Sequence, residues 1–241
     1  MIRIYNINNN KFVSDYGTSY KLNSLSQSDI LYNKIPTREL IFYNSFSNDS
    51  VIAETGQQLN ISNSSYVTKN LLIDNIPCWK IRKYCYIDIT ESNINYAQQP
   101  ITLSVWINLI GTDASWGRII SIGNYNQYKE FAISLFGNNG IYFTAGNGDS
   151  GNWISEYPVT SNKWYHVLGY TDGSKAYLYI NGIYHNSVDL TADNNVAQEK
   201  RIRILGNSSK IIPDCYISCV RVYNRVLNEN EIINLSKEFE I

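Results

Sequence analysis

From Glu39 onward the chain is written in short runs that alternate apolar and polar residues, recurring about every ten residues. The runs are Leu40–Phe46, Tyr86–Ile89, Thr102–Leu109, Arg118–Ile122, Phe131–Phe136 and Ile141–Ala145, then Trp164–Thr171, Lys175–Ile180, Arg201–Leu205 and Tyr216–Tyr223. A period of two places alternate side chains on opposite faces of a strand, so each run predicts a half-buried β-strand. Gly137-Asn138-Asn139-Gly140, Thr171-Asp172-Gly173 and Asn181-Gly182 supply sharp turns, the last being the strongest short hairpin signal. Many short antiparallel strands at this spacing predict an all-β fold, an antiparallel β-sandwich of jelly-roll type. Only Asn228–Glu238 reads as a short C-terminal helical turn. A polar cap is followed there by Glu229 and Glu231, then by apolar Ile232, Ile233 and Leu235.

Residues 1–38 are patterned differently. They alternate weakly, are rich in Asn, Ser and Tyr, and hold only short strand candidates at Met1–Tyr5 and Lys11–Val13. This stretch reads as an N-terminal extension serving attachment to a particle or homo-oligomerisation, with Pro36 marking its boundary and residues 39–241 forming the main domain.

Composition narrows the partners. A net charge of -1 with 17% charged residues gives no basic field for a phosphate backbone, which argues against nucleic acid. No apolar run reaches the roughly 18–20 residues of a membrane span. The opening MIRIYNINNN lacks the basic and apolar regions of a signal peptide, which points to another export route, display on a particle, or a leader absent from this sequence. The 31 Asn and 20 Tyr, against 7 Phe, suit an exposed binding surface where rings give apolar area and amides give paired hydrogen bonds. An AT-rich genome would write the same bias, and both explanations stand. Cys78, Cys85, Cys215 and Cys219 are spaced C-x6-C and C-x3-C, unlike a zinc knuckle, and admit two disulfides or four free thiols. On one regular strand Cys215 and Cys219 would share a face.

The strand texts resemble the laminin-G-like, concanavalin-A-like jelly roll of bacterial, phage and extracellular proteins. Ile101–Leu109 (ITLSVWINL), Asn162–Asn186 (NKWYHVLGYTDGSKAYLYINGIYHN), Arg201–Ser209 (RIRILGNSS) and Ile217–Leu235 (ISCVRVYNRVLNENEIINL) carry the resemblance. Leu40–Ser50 looks like the family's opening strand, so the likeness covers roughly residues 39–237. A related jelly roll occurs in the clostridial neurotoxin receptor-binding half, but the motif text is nearer the laminin-G side. Ser218 departs from the family, which often has Asp there, and this puts any pinning or cation role of that carboxylate in doubt. Trp106 and Trp164 lie within apolar alternation and are expected in the core. His166 is expected as a strand histidine, since a histidine without a placed carboxylate and nucleophile makes no triad.

Glycanases on such a fold would carry two carboxylates on one strand face. The nearest text is Tyr86–Glu91 (YIDITE), where Tyr86 stands two residues before Asp88 and Glu91 points to the opposite face. No enzyme activity and no required cofactor are therefore expected. Calcium is the one cation the text admits, through Asp113, Asn147 and Asp149, because tight Gly turns bearing Asp and Asn offer oxygen ligands. Ligand binding is expected from loop aromatics beside amides and charges, namely Trp116, Arg118, Tyr125, Tyr128, Asn147, Asp149, Asn152, Trp153 and Tyr157, gathered on one rim.

The resemblance thus implies a non-catalytic carbohydrate-binding, lectin-like module for surface adhesion. Its partner would be a cell-surface glycan or glycoconjugate, and its setting extracellular or on a phage-tail or phage-like particle. A protein-protein adhesion module and an accessory domain of a toxin or glycosidase are the alternatives.

Overall fold

The computed structural model describes residues 11–13, 19–21, 35–91, 100–111, 117–124, 129–137, 140–147, 153–190, 201–206 and 212–239. In chain order the strands begin with β1 (Lys11–Val13), β2 (Ser19–Lys21), β3 (Leu40–Asn44), β4 (Asn60–Ile61), β5 (Val67–Ile73) and β6 (Ile76–Ile81). Next come β7 (Ile87–Thr90), β8 (Ile101–Leu109), β9 (Gly117–Asn124), β10 (Lys129–Phe136), β11 (Gly140–Asn147) and β12 (Trp153–Pro158). The last are β13 (Trp164–Thr171), β14 (Lys175–Ile180), β15 (Ile183–Asp189), β16 (Arg201–Ile204) and β17 (Cys215–Tyr223), followed by the helix α1 (Glu229–Ser236).

Apart from the β1–β2 hairpin, the strands form two antiparallel sheets packed as a sandwich. One runs β12-β11-β10-β9-β16-β7-β4; the other runs β15-β14-β13-β8-β17-β6-β5, with β3 also paired to β17. Alternation builds the core between them. Ile87, Ile89, Ile120, Ile122, Phe131, Ile133, Ile141 and Phe143 of the first sheet meet Leu103, Val105, Ile107, Val167, Leu178 and Val222 of the second. At Gly169 the sheets come so close that an added Cβ would overlap the Phe143 ring. The sandwich expected from the sequence is therefore the fold.

The outer face of the second sheet is also covered, which is why every residue of β8 is buried. Asn228 caps α1 and forms a capping box with Glu231, which also takes a two-point ion pair from Arg225 at 2.7 Å. The helix lays Ile232 and Leu235 against Leu168, Tyr170 and Tyr223. Trp106 Nε1 donates to the Leu235 carbonyl at 3.2 Å, and Phe239 meets the Trp106 ring edge-on at 5.3 Å. Trp106 and Trp164 are buried as expected, but in this outer cluster rather than between the sheets.

Several features differ from the sequence reading or add to it. Trp153–Pro158 is a strand, so Trp153 and Tyr157 do not stand in a loop. Strands β5 and β15 carry too little apolar alternation to announce themselves, because both lie at sheet edges with one face in solvent. Cys215 lies in the inter-sheet core but Cys219 lies in the outer cluster, since β17 shifts register between Ser218 and Arg221 and Cys219 takes a φ of 46°. The alternatives for the cysteines are resolved: all four are buried free thiols. At the domain's start, Pro36 is buried and its carbonyl accepts from the Tyr223 hydroxyl at 3.0 Å, so the sandwich already includes residues ahead of Glu39.

Candidate functional site

At the end of the sandwich where β6 and β8 finish and β17 begins lies an open cleft of about 420 Å³. Tyr66, Arg82, Lys83, Tyr84, Ile110, Gly111 and Asp214 line it. Its walls come from four parts of the chain tied together by hydrogen bonds. Arg82 N–H donates to the Tyr66 carbonyl at 2.9 Å, and Ile110 N–H donates to the Asp214 carbonyl at 2.8 Å. Lys83 N–H donates to Asp214 Oδ1 at 3.0 Å, and Lys80 Nζ stands 4.0 Å from Asp214 Oδ2. The Ser161 hydroxyl fixes the Gly111 carbonyl at 3.1 Å. Tyr66 ends a short 3₁₀ turn, Ser64–Tyr66, whose start is capped by Asn63. The cleft is thus tied together by hydrogen bonds, and Arg82, Lys83 and Tyr84 are exposed along it.

Cations sit beside both rings. The Arg82 guanidinium is 5.3 Å from the Tyr66 ring centre, and Lys83 Nζ is 5.8 Å from that of Tyr84. Tyr84 itself is held at a φ of 69°, in the left-handed region that a bulky side chain enters at a cost of about 1–2 kcal/mol. The turn is closed by Cys85 N–H donating to the Arg82 carbonyl at 3.2 Å. Phe46 and Leu205 also have positive φ, but they are buried and their packing explains them. Tyr84 is 61% exposed, so no packing gain offsets its strain. A strained backbone that presents a ring to solvent is what a binding function would retain.

Trp116, Tyr125, Tyr128, Asp149, Asn152 and Asp113 lie outside the described residues. Their described flanks, however, stand at opposite ends of β9: Gly117 pairs with Leu135, while Asn124 pairs with Lys129, which pairs with Asn147. Seven residues of strand separate those ends by about 23 Å. Among the described residues no group of three or more His, Cys, Asp or Glu could hold a metal ion.

Two expected residues are committed elsewhere. Arg118 is buried, and its Nε donates to Glu130 Oε1 at 2.8 Å within an ion pair. Tyr157 packs against the inter-sheet core and meets His185 edge-on at 5.2 Å. The carboxylates of the glycanase-like text are structural as well. Asp88 takes a two-point ion pair from Arg203 at 2.7 Å, and Glu91 accepts from Gln57 Nε2. His166 is buried with Nε2 2.9 Å from the Ser104 hydroxyl, and burial followed by the nearby Arg221 charge pushes its pKa down to about 3. Ser218, in place of the family's Asp, donates to the Pro77 carbonyl at 2.7 Å, so a hydroxyl does the pinning.

The cleft residues were not read from the sequence. The signal available was Arg82-Lys83-Tyr84, two cations beside an aromatic in a chain with few charges. It passed unnoticed because it holds none of the Gly, Asn or Asp that mark loops, and because Tyr66 and Asp214 join it only through the fold.

Two sheets of these strand orders, a helix strapped across one outer face and a polar, aromatic cleft at one end define a lectin-type sandwich. The chain belongs to the family described as the concanavalin A-like lectin/glucanases superfamily, of the laminin G type, whose model matches residues 82–233. No curated protein matches the sequence. Among solved structures, the binding domain of botulinum neurotoxin DC in complex with rat synaptotagmin II is similar with a TM-score of 0.66 and 17% identity, over 84% of this chain and 52% of that one. The same toxin's binding domain in complex with SialylT gives 0.61 and 15%, over 83% and 51%. The binding domain of Paraclostridial Mosquitocidal Protein 1 gives 0.63 and 17%, over 82% and 52%. The chain spans about half the length of these domains, and at such identities the likeness is one of fold. Among the described residues no helix is long and apolar enough to cross a membrane.

Proposed function

We propose that this protein is a non-catalytic, carbohydrate-binding adhesion module that takes its ligand in the end cleft. The observation that carries the reading is Tyr84: a ring held exposed in a strained turn that lines one cleft with Tyr66 and the Asp214 carboxylate. A sugar presents an apolar C–H face to an aromatic ring and hydroxyls to charged acceptors and donors. The cleft offers both, and its volume falls within the usual range of roughly 300–1,000 Å³ for small-ligand sites. The commitment of Asp88 and Glu91 to structural partners supports a binding rather than a hydrolytic role.

The structural neighbours are binding domains of toxins, which favours a receptor-binding setting outside the producing cell, whether on a particle or as part of a secreted assembly. A glycan array read with the wild-type protein and with Tyr84→Ala and Tyr66→Ala tests the reading. Binding that both substitutions weaken supports it; glycan signals indifferent to both rings count against it.

A second reading, protein-protein adhesion, is favoured by one separate feature. Ile183 and Tyr184 are exposed at the tip of the β14–β15 hairpin, close to exposed Ile233 on α1. Pull-down with Tyr184→Ser and Ile183→Ser variants would separate this surface from the cleft.

A further inference from the structure

We infer that α1 and the residues after it form an acid-released strap: as pH falls from 7 to 5, residues 229–239 lift off the second sheet and uncover the aromatic outer face beneath. The strap closes over His166. This residue lies across from Trp106 of β8, with ring centres 5.4 Å apart, and shares its face of β13 with Leu168. The strap touches its neighbours on several sides. Trp106 Nε1 donates to the Leu235 carbonyl at 3.2 Å, and the Leu235 side chain packs on Leu168. At the adjoining turn the His166 N–H donates to Asn181 Oδ1 at 2.9 Å, and a Cβ added to Gly182 would strike the Ser236 hydroxyl.

Under this cover a second proton on the ring has no place. His166 is wholly buried, with Nε2 2.9 Å from the Ser104 hydroxyl, and Nδ1 has no hydrogen-bond partner among the described residues. An imidazolium donates from both nitrogens, so one N–H and the charge itself would stay buried and unanswered. The charged and titratable groups around it are Arg221 and Cys219 on β17, Tyr43 on β3, Tyr170 on β13, Tyr179 on β14 and Glu238 on the strap. Burial pushes the Cys219 thiol up to about 12 and the Tyr43 and Tyr170 phenols above their ordinary range, so these three stay neutral in acid. Arg221, almost wholly buried, is a fixed cation whose pair with Glu238 also ties down the strap.

Lifting the strap answers both charges at once, because water then reaches the imidazole and the guanidinium. The strands themselves need not part. β8 and β13 are laddered to each other, and on their far sides to β17 and β14. The strap's backbone bonds to itself instead, from Lys237 N–H to the Ile233 carbonyl and from Glu238 N–H to that of Leu235, and side chains hold it to the sheet. An eight-residue helix does not persist alone, so α1 unwinds once it leaves. Trp106, Leu168, Tyr170 and Tyr223 are then uncovered. Burial, and then Arg221, hold His166 at about 3 under the strap, whereas a solvated histidine titrates near 6.5. The proton therefore accumulates on the open form, whose population rises about 25-fold between pH 7 and pH 5.

Hydrogen exchange of the full chain at pH 7 and pH 5, corrected for the intrinsic rate of each amide, tests this on wild type, His166→Gln and Phe239→Ala. In wild type the amides of residues 229–239 should exchange through an opening that leaves those of β8 and β13 protected, and that opening should grow about 25-fold at pH 5. His166→Gln should abolish the growth. Phe239→Ala, which loses the edge-on contact with Trp106, should open more at both pH values and keep the growth. A wild-type strap opening equal at both pH values would overturn the inference, as would strap and strand amides exchanging together in one global step. Growth that His166→Gln retains would assign the acid response to another group and overturn it too. If His166→Gln does not fold, the wild-type profile decides: growth should begin near pH 6.5, and growth confined below about pH 5 would overturn the inference.

Discussion

The backbone N–H of Lys83 donates to Asp214 Oδ1 at 3.0 Å, joining residues 131 apart in sequence. This contact locks the turn after β6 to the start of β17 and so fixes the side of the cleft from which Tyr84 projects. Asp214→Ala should leave the sandwich folded, because the residue is partly exposed and lies at a strand end, yet it should weaken ligand binding severalfold by freeing the turn. Calorimetric titration beside a thermal melt reads both effects.

The close approach at Gly169 sets a second expectation. Gly169→Ala places a methyl group against the Phe143 ring and should destabilise the protein by about 1–3 kcal/mol, seen as a lower Tm. A double variant with Phe143→Leu should recover part of the loss, since it opens the space the methyl needs.

The strap over the outer face is held by charge as well as by packing. Arg221, almost wholly buried, donates from both terminal nitrogens to Glu238 at 2.7 and 2.6 Å. Glu238→Ala leaves that cation buried without its partner and should cost about 3 kcal/mol or more in denaturant unfolding. Breaking the exposed pair of Lys175 and Asp189 by Lys175→Ala should leave the unfolding midpoint almost unchanged.

Acid should loosen the fold through His166. Burial, and then the Arg221 charge, hold its folded pKa at about 3, whereas an unfolded histidine titrates near 6.5. Below about pH 6.5 the unfolded chain binds a proton that the folded one refuses, so this contribution is fully present above that pH and fades as pH falls towards 3. Between pH 7 and pH 5 the loss amounts to about 2 kcal/mol. His166→Gln should flatten that part of the stability profile, as measured by denaturant unfolding across pH.

Much of the fold was legible from the residues. The Asn181-Gly182 turn, with φ of 51° and 76°, connects the hairpin its dipeptide announced, and the capping box at Asn228 starts the helix the tail text predicted. Alternation located β8, β13 and β17 because their inward residues are mostly apolar. It missed β15, whose Tyr184, Asn186 and Asp189 face solvent at an edge, and it could not place Cys219, because a register shift has no fixed sequence sign. The site was much less legible. Loop composition pointed to residues around β9 without showing that β9 holds their flanks at opposite ends of the sandwich. Arg118 read as a ligand contact until the pairing of β9 with β10 put Glu130 beside it. The cleft is assembled from residues 66, 82–84, 110–111 and 214, and no local pattern joins them.

Carbohydrate binding in the cleft turns on Tyr84, and one substitution separates its ring from its backbone. Tyr84→Gly removes the ring while relieving the positive φ, so stability should stay within about 1 kcal/mol of wild type or rise. Measured in parallel by thermal unfolding and by glycan-binding titration, the variant should keep or raise its Tm and lose most of its affinity. An unchanged affinity at an unchanged Tm would contradict the assignment of this cleft as the carbohydrate site.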